Sequence, residues 1–487
     1  YDISNTQSFF VSVNNNIGRV MGYYASLEFG INDYLFLNGT YRLDYDISIP
    51  EENNPYDYWS VSGSFVFSEL MDNNDVLSFG KLRASYGLVG LGTFAYSTNT
   101  YFNSSIVTDG WVFPQGVYFP ALGTAAFTLG DTRGNPQLRP EIQKSFEVGT
   151  DLRFFNNRLG LDLTYYNSTS EDIILGVPLS GSTGFDATIE NAAKVSNKGI
   201  EAILYANPVR GDFNWEFNVN FTRNVNNVDE LAEGVDNVYL GGFTGASTRA
   251  VVGVPYGSIF GFGFYRDAAG NRVIGADGFP ILDPNETDWG TALPDFTVGF
   301  RNTFTYKGFS LSALLDVKQG GVVWNGTKGA LYFWGTSQET ADLRGTTTVF
   351  DGAVATFDAE GNLVLDANGM PVTGGANTQE VLLDENWLAF GNANGFFGDN
   401  TEDFVEDASW VRLRDVSLSY QFPGSMIEST PFRSLSLTVS ARNLFLDTPF
   451  TGIDPETNLY GASNAQGLDY FNMPNTKSYS IGLRVGF

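Results

Sequence analysis

The sequence predicts an all-β chain, and within that class a transmembrane antiparallel β-barrel with long extracellular loops. Three observations carry this. Runs of about 9–13 residues alternate apolar with polar or small side chains, the length that crosses an outer membrane at a tilt; strands of soluble sandwiches are nearer 5–6 residues. The connections between runs alternate short and long, as periplasmic turns alternate with extracellular loops in an outer-membrane barrel. The chain also closes on a flawless period of two: Tyr479, Ile481, Leu483, Val485 and Phe487 share one face, opposite Ser478, Ser480, Gly482, Arg484 and Gly486. An exposed edge of that kind invites aggregation in water, whereas a barrel pairs it.

The runs appear in order. After an opening strand near 17–30, the clearest is Ser145 to Phe154, with Phe146, Val148, Leu152 and Phe154 opposite Ser145, Glu147, Asp151 and Arg153. Asn156-Asn157 supplies a tight turn, since asparagine tolerates positive φ. Leu159, Leu161, Leu163 and Tyr165 then resume the apolar face. Phe213, Trp215, Phe217, Val219 and Phe221 alternate with Asn214, Glu216, Asn218 and Asn220. Phe296 to Tyr306 passes through Lys307-Gly308 into Phe309 to Val317, and Leu435, Leu437, Val439 and Ala441 oppose Ser434 to Arg442. Ionised residues such as Glu147, Asp151 and Arg153 would be costly in a dry core and fit a hydrated lumen. Trp410 to Phe422 changes phase between Leu413 and Val416. A bulge near Asp415 would do this, as would a strand only half in lipid with Arg412 and Arg414 at the rim or lumen.

The short connections are 31–33, 69–76, 156–157, 208–211, 307–308 and 423–432; the long ones are 91–142, 170–192, 226–293, 320–407 and 446–476. The final strand therefore descends from a long loop and leaves the C-terminus periplasmic. The count is about 13 strands, odd where bacterial single-chain barrels are even, so either a strand is miscounted or, the reading we favour, further strands are expected before Tyr1.

Composition narrows function. The chain has 487 residues, a net charge of −28, no Cys and no His. The charge opposes nucleic-acid binding. Without Cys or His there is no thiolate site, no usual neutral-pH base and none of the commonest metal ligand, which argues against hydrolase triads, zinc enzymes and haem proteins. Carboxylate-pair glycosidase chemistry alone survives that exclusion. Mean hydropathy is −0.11, and the longest apolar stretch, Ala250 to Tyr265, is broken by Gly253, Gly257, Gly261, Gly263 and Pro255. A helical span is excluded, whereas a barrel escapes such a search because only alternate residues face lipid.

One internal repeat stands out: Asp267 to Ile281 and Asp358 to Val372 share D-A-x-G-N-x-V-[IL]-x-A-[DN]-G-x-P-[IV]. Paired turn signals predict a small hairpin in each of two loops. A structural calcium ion held by Asp267, Asn271, Asp358 and Asn362 is the sharper alternative, although the spacing lacks the calcium-loop pattern and its terminal Glu. No other cofactor is implied.

Several segments together resemble the C-terminal part of a SusC/RagA-type TonB-dependent outer-membrane transporter. In order they are Lys81 to Gly87 (KLRASYG), Asn135 to Glu141 (NPQLRPE) with Ser145 to Gly149, Phe155 to Leu159, Ser182 to Phe185, Asn197 to Glu201 and Tyr306 to Phe309. Asp407 to Asp415 (DASWVRLRD), Ala441 to Phe445 and Thr451 to Glu456 (TGIDPE) complete the series. The resemblance implies a barrel of about 22 strands around a plug, energised by TonB and its inner-membrane proton-motive complex. It also implies a SusD-like surface lipoprotein as partner and uptake of an oligomeric nutrient, oligosaccharide or peptide. The plug, the TonB box and about nine strands are then expected upstream of Tyr1. The sequence departs from the pattern after Asp44, where Tyr45 to Pro50 (YDISIP) replaces the usual run. A passive porin and a secreted adhesin or enzyme are the competing readings.

Substrate would be met by loop aromatics: Trp111, Tyr118, Trp289, Trp324, Tyr332, Trp334 and Trp387, with Asn325 and Asp342 nearby. Their rings either stack on solute or pack the loops and anchor the membrane interface. Tyr479, Ile481, Leu483, Val485 and Phe487 match the terminal signal by which the family's barrels are recognised for insertion.

Overall fold

The computed structural model describes residues 17–71, 76–107, 117–121, 123–390 and 400–487. Thirteen strands follow one another in chain order, each antiparallel to the next. They are β1 (Val20–Ile31), β2 (Leu35–Asp46), β3 (Tyr56–Phe65), β4 (Leu77–Leu91), β5 (Glu141–Phe154), β6 (Leu159–Pro178), β7 (Ala187–Val209), β8 (Phe213–Leu231), β9 (Phe296–Tyr306), β10 (Phe309–Gln319), β11 (Trp410–Gln421), β12 (Ser434–Asp447) and β13 (Ser478–Gly486). The pair Thr132–Arg133 adds in parallel beside the start of β7. Among the described residues β1 pairs only with β2, and β13 only with β12. The expected strand number and up-and-down order both hold.

Register keeps each face chemically uniform, which is what a wall between lipid and water requires. Phe29, Leu37, Gly63, Ala84, Val148, Tyr165 and Ile200 are successive cross-strand partners. A second row links Leu311, Leu418, Val439 and Ile481. These side chains are largely exposed: Phe29 is 56%, Val439 46% and Ile481 77% accessible. In water that would be an aggregation surface; it is the face expected to meet lipid.

The opposite face carries paired charges and amides. Arg83 donates to both carboxylate oxygens of Asp162, at 2.7 and 3.0 Å. It reaches Asp162 by lying across Gly149, where a Cβ would sit 2.8 Å from Arg83 Nε. Asn224 and Asn226 both donate to Asn197 Oδ1.

The phase change in β11 is a bulge. Pairing with both β10 and β12 steps from Leu413 to Asp415, leaving Arg414 unpaired in the ladder. The extra residue carries the apolar face from odd to even positions, so Leu413 and Val416 stay on one side.

The two rims differ as expected. One has tight turns: Lys307 and Gly308 are both left-handed, as a two-residue hairpin demands, and Phe155, Asn156 and Asn157 also have positive φ. The other carries the links 92–140, 232–295, 320–409 and 448–477. Two connections on that rim depart from expectation. The link 47–55 is brief, and the expected loop 170–192 is mostly strand, because β6 runs to Pro178 and β7 begins at Ala187. The alternation fades there because both faces become useful. A register shift at Ser170/Ile173, with Asp172 left-handed, turns the ladder. Beyond it Ile173, Leu175 and Val195 pack with Val228, Val238 and Ala250.

Candidate functional site: the long-loop assembly

The long loops fold as a soluble protein does, around their own apolar cores. Val322–Asn325 lies between Val405–Asp407 and Leu468–Asp469 in a three-stranded sheet drawn from two loops. Asn237–Gly242, Ala246–Val251, Ser258–Gly261 and Thr287–Thr291 form a second sheet. The core between them holds Ala246, Ile259, Trp324, Phe404 and Leu468, flanked by Phe243, Tyr332 and Tyr470. Residues from three loops thus close one cluster, which fixes the loops against one another.

Polar contacts tie this assembly to the sheet. Arg412 of β11, fully buried, donates to both oxygens of Asp454 at 2.7 and 2.8 Å and reaches Glu456 at 3.0 Å. Arg414, freed by the bulge, bridges Asp316 of β10 and Glu456. Both guanidinium groups lie over Trp410. Burial pushes the Asp454 carboxyl upward, but Arg412, the Glu456 N–H and the Asn475 amide outweigh it and hold the group below the ordinary carboxylate range. Asp469 is the reverse case. Burial raises it above that range despite hydrogen bonds from Thr327 and Thr457, and among the described residues its Oδ2 has no hydrogen-bond partner.

The aromatic candidates separate into distinct environments. Trp111 lies outside the described residues, as does the side chain of Tyr118. Trp324 is 1% exposed and belongs to the loop core. Tyr332 stands edge-on to Phe404 and donates to Glu339 at 2.6 Å. Trp289 packs beneath Gly263 and donates to the Gly261 carbonyl. Of these three Trp324 is buried, and Tyr332 and Trp289 are partly buried. Trp334 is 66% exposed and meets Phe333 edge-on. Asn325 caps the helix Gly326–Phe333 by accepting from the Lys328 N–H, and Asp342 accepts from Gln338.

Trp387 differs from the rest. Its ring stacks on Phe279, centroids 4.6 Å apart and planes 27° apart, with Phe350 at 5.3 Å. Phe279, Trp387, Asp277 and Asp384 line an open cavity of about 610 Å³. Sequence reading singled out Trp387 but not its partners. The signal for Phe279 lay in the repeat, because the second copy has Met370 at the matching place.

The repeat forms the two expected hairpins. Bridges pair Arg266 with Arg272 and Ile274 with Pro280, and likewise Phe357 with Leu363 and Leu365 with Pro371. In each copy the first Asp organises the turn: Asp267 Oδ1 accepts from the N–H groups of Ala269 and Asn271, and Asp358 Oδ1 from those of Glu360 and Asn362. The Asn271 and Asn362 amides donate to the second oxygen of their own aspartate. All four residues proposed as calcium ligands thus take part in turn hydrogen bonds. The first copy also docks on the segments that flank the second, with Val273–Ile274 parallel to Ala353–Val354 and Thr373 Oγ1 donating to Asp267.

The arrangement has known counterparts. TonB-dependent receptor P3 of Formosa agariphila is 27% identical over 96% of this chain and 45% of its own length. TonB-dependent receptor SusC of Bacteroides thetaiotaomicron is 22% identical over 96% of this chain and 44% of its own. The chain spans just under half the length of these curated relatives. The structure of the RagAB peptide transporter shares the fold, with a TM-score of 0.68 and 20% identity, covering 96% of this chain and 48% of that one. Residues 1–444 match the family model described as TonB dependent receptor-like, beta-barrel, and with most of its length inside that match the chain belongs to the TonB-dependent receptor β-barrel family.

Proposed function

We propose that the protein is the barrel portion of a SusC-like outer-membrane importer that takes up oligosaccharide, energised through TonB and operating with a SusD-like surface lipoprotein. The observation that carries this reading is the asymmetry of the two rims. One has tight turns; the other bears three loops interlocked around a shared core and latched to the wall by Arg412 and Asp454. A folded rim of that kind suits capture of a particular solute, whereas a passive pore needs only an open mouth. In this reading the loops face outward, β13 descends to a periplasmic C-terminus, and the plug and TonB-binding part belong to the whole protein. The nutrient is uncharged or cationic, since 55 acidic against 27 basic residues oppose an anionic polymer.

Oligopeptide uptake is the second reading, favoured by the fold shared with the RagAB peptide transporter. Growth of a deletion strain on oligosaccharide or on peptide as sole nutrient, with and without a protonophore, tests both. Protonophore-sensitive growth on oligosaccharide that is lost on deletion supports the proposal. Loss confined to peptide moves the assignment to the second reading, and uptake indifferent to the protonophore sinks active import. Co-purification of a surface lipoprotein tests the partner.

A further inference from the structure

The cavity beside Trp387 is built from two loops by the divergence of one repeat copy. In both copies an aspartate organises the second turn, at different places: Asp277 Oδ1 accepts from the Phe279 N–H at 3.1 Å, and Asp366, two positions earlier in the repeat, accepts through Oδ1 from the Asn368 and Met370 N–H groups. Only the first copy places an aromatic ring on that turn, and its turn is docked. Gly278, left-handed at φ 84°, sits so close to the next loop that a Cβ would lie 2.6 Å from Val381. The second copy's Gly369 has nothing within 4 Å. The docked copy brings Phe279 under Trp387, whose backbone N–H donates to Asp384 Oδ1 at 3.1 Å.

The chemistry of this lining is specific. Phe279 backs one face of the Trp387 ring, giving an apolar platform flanked by the Asp277 and Asp384 carboxylates and the Asn386 amide, and among the described residues none that lines the cavity is basic. A pyranose has one face of C–H groups and a rim of hydroxyl donors, so it matches the platform and the acceptors together. An acidic sugar or acidic peptide would meet two carboxylates and no counter-charge. A cationic side chain is better served by rings that enclose it than by a stacked pair. At about 610 Å³ the cavity is within the range of small-ligand sites.

We propose that this cavity is a subsite for one uncharged sugar ring of the imported oligosaccharide, with Trp387 as the stacking platform and Asp277 and Asp384 as hydroxyl acceptors. This rests on the oligosaccharide reading above. The test is calorimetric titration of the purified protein in detergent with neutral gluco-, manno- and xylo-oligosaccharides, and with a lysine-rich peptide of similar size. At least one neutral series binds; Trp387→Ala weakens it about tenfold; and Trp387→Phe, which keeps a stacking ring, falls between. Asp277→Asn with Asp384→Asn weakens the glycan several-fold, and the peptide does not compete. Glycan binding that is unchanged in Trp387→Ala overturns the subsite and leaves the uptake reading standing. If no neutral series binds the unmodified protein, the uptake reading falls and the subsite with it. Peptide binding abolished by the double Asn variant would make the cavity a cation site and overturn the proposal. Should Trp387→Ala fail to fold, the Trp387→Phe titration and the double Asn variant still decide.

Discussion

Removing the Asp454 carboxylate isolates a guanidinium that has almost no water. The Arg412 and Asp454 side chains are 2% and 4% exposed, and among the described residues Arg412 Nε has no hydrogen-bond partner even in the intact pair. Deleting one member of a buried ion pair costs roughly 3–5 kcal/mol, because the remaining charge is left without compensation. Here Arg412 keeps Glu456 at 3.0 Å, itself 28% exposed, so the lower end applies, about 3 kcal/mol. Asp454 also accepts from the Glu456 N–H and Asn475 Nδ2, so the loss falls on the loop 448–477 before it reaches the wall. A local opening eased by about 3 kcal/mol is populated about a hundredfold more often. Hydrogen–deuterium exchange read peptide by peptide should show that acceleration in Asp454→Ala around Asp454 to Thr457 and Tyr470 to Asn475, with β1 to β4 unchanged. The double replacement Arg412→Met with Asp454→Leu removes both charges and should recover much of the loss. Acceleration below about threefold, or a uniform rise through the sheet, would refute the view that this pair latches the loop to β11.

Other consequences follow from the faces and the buried carboxyls. Val439→Arg, on the apolar row between Leu418 and Ile481, should destabilise the folded protein by about 2–4 kcal/mol if that row meets lipid; Ser440→Arg, one residue along on the polar face, should cost far less, and urea titrations in bilayers compare them. Asp469 has a raised carboxyl, so it favours the fold most below its unfolded-state pKa and progressively less as pH rises through its higher folded-state value. Asp469→Asn should therefore flatten thermal stability across the mildly acidic range, and an unchanged pH profile would show that another group governs it. Asp454 has the opposite sign: its lowered carboxyl stabilises above the unfolded-state value and loses that contribution as pH falls through the folded-state one. Loop exchange should accordingly rise in strong acid in the unmodified protein but not in the Arg412→Met, Asp454→Leu variant.

The wall was legible because the rules that shape it are local. A strand between lipid and water must alternate, and every backbone group must pair with a neighbour, so period, length and register can be read residue by residue. Even the bulge at Arg414 left a trace, as apolar positions changing from odd to even. The loops obey a different physics. Trp324 carries the same composition signal as a solute-binding aromatic, and burial alone separates it, decided by partners far away in sequence: it meets Phe243 and Leu468. Arg412 showed in the sequence as a charge in a strand, but its partner is 42 residues on, beyond any local pattern. The reach of β6 and β7 past the wall was hidden for the same reason, because a segment packed on both faces no longer alternates.

The bulge joins these two kinds of structure. With one residue fewer, β11 would keep its ladder and could not present both Arg412 and Arg414 on the polar side while holding Leu413 and Val416 on the apolar one. The extra residue lets two cations, two apart in sequence, reach Asp316 in the wall and Asp454 and Glu456 in the loop. The loop 448–477 is thereby tied to the sheet by charge pairs, whereas the loop 232–295 packs on it through Val195, Val228, Val238 and Ala250, and charge pairs depend on geometry more steeply than apolar contacts do. A shift of the loops as a body would have to break them together. The same pairs that hold the loop 448–477 in place therefore add to the threshold for moving it, and displacement of that loop should depend on whatever competes for Arg412 and Arg414.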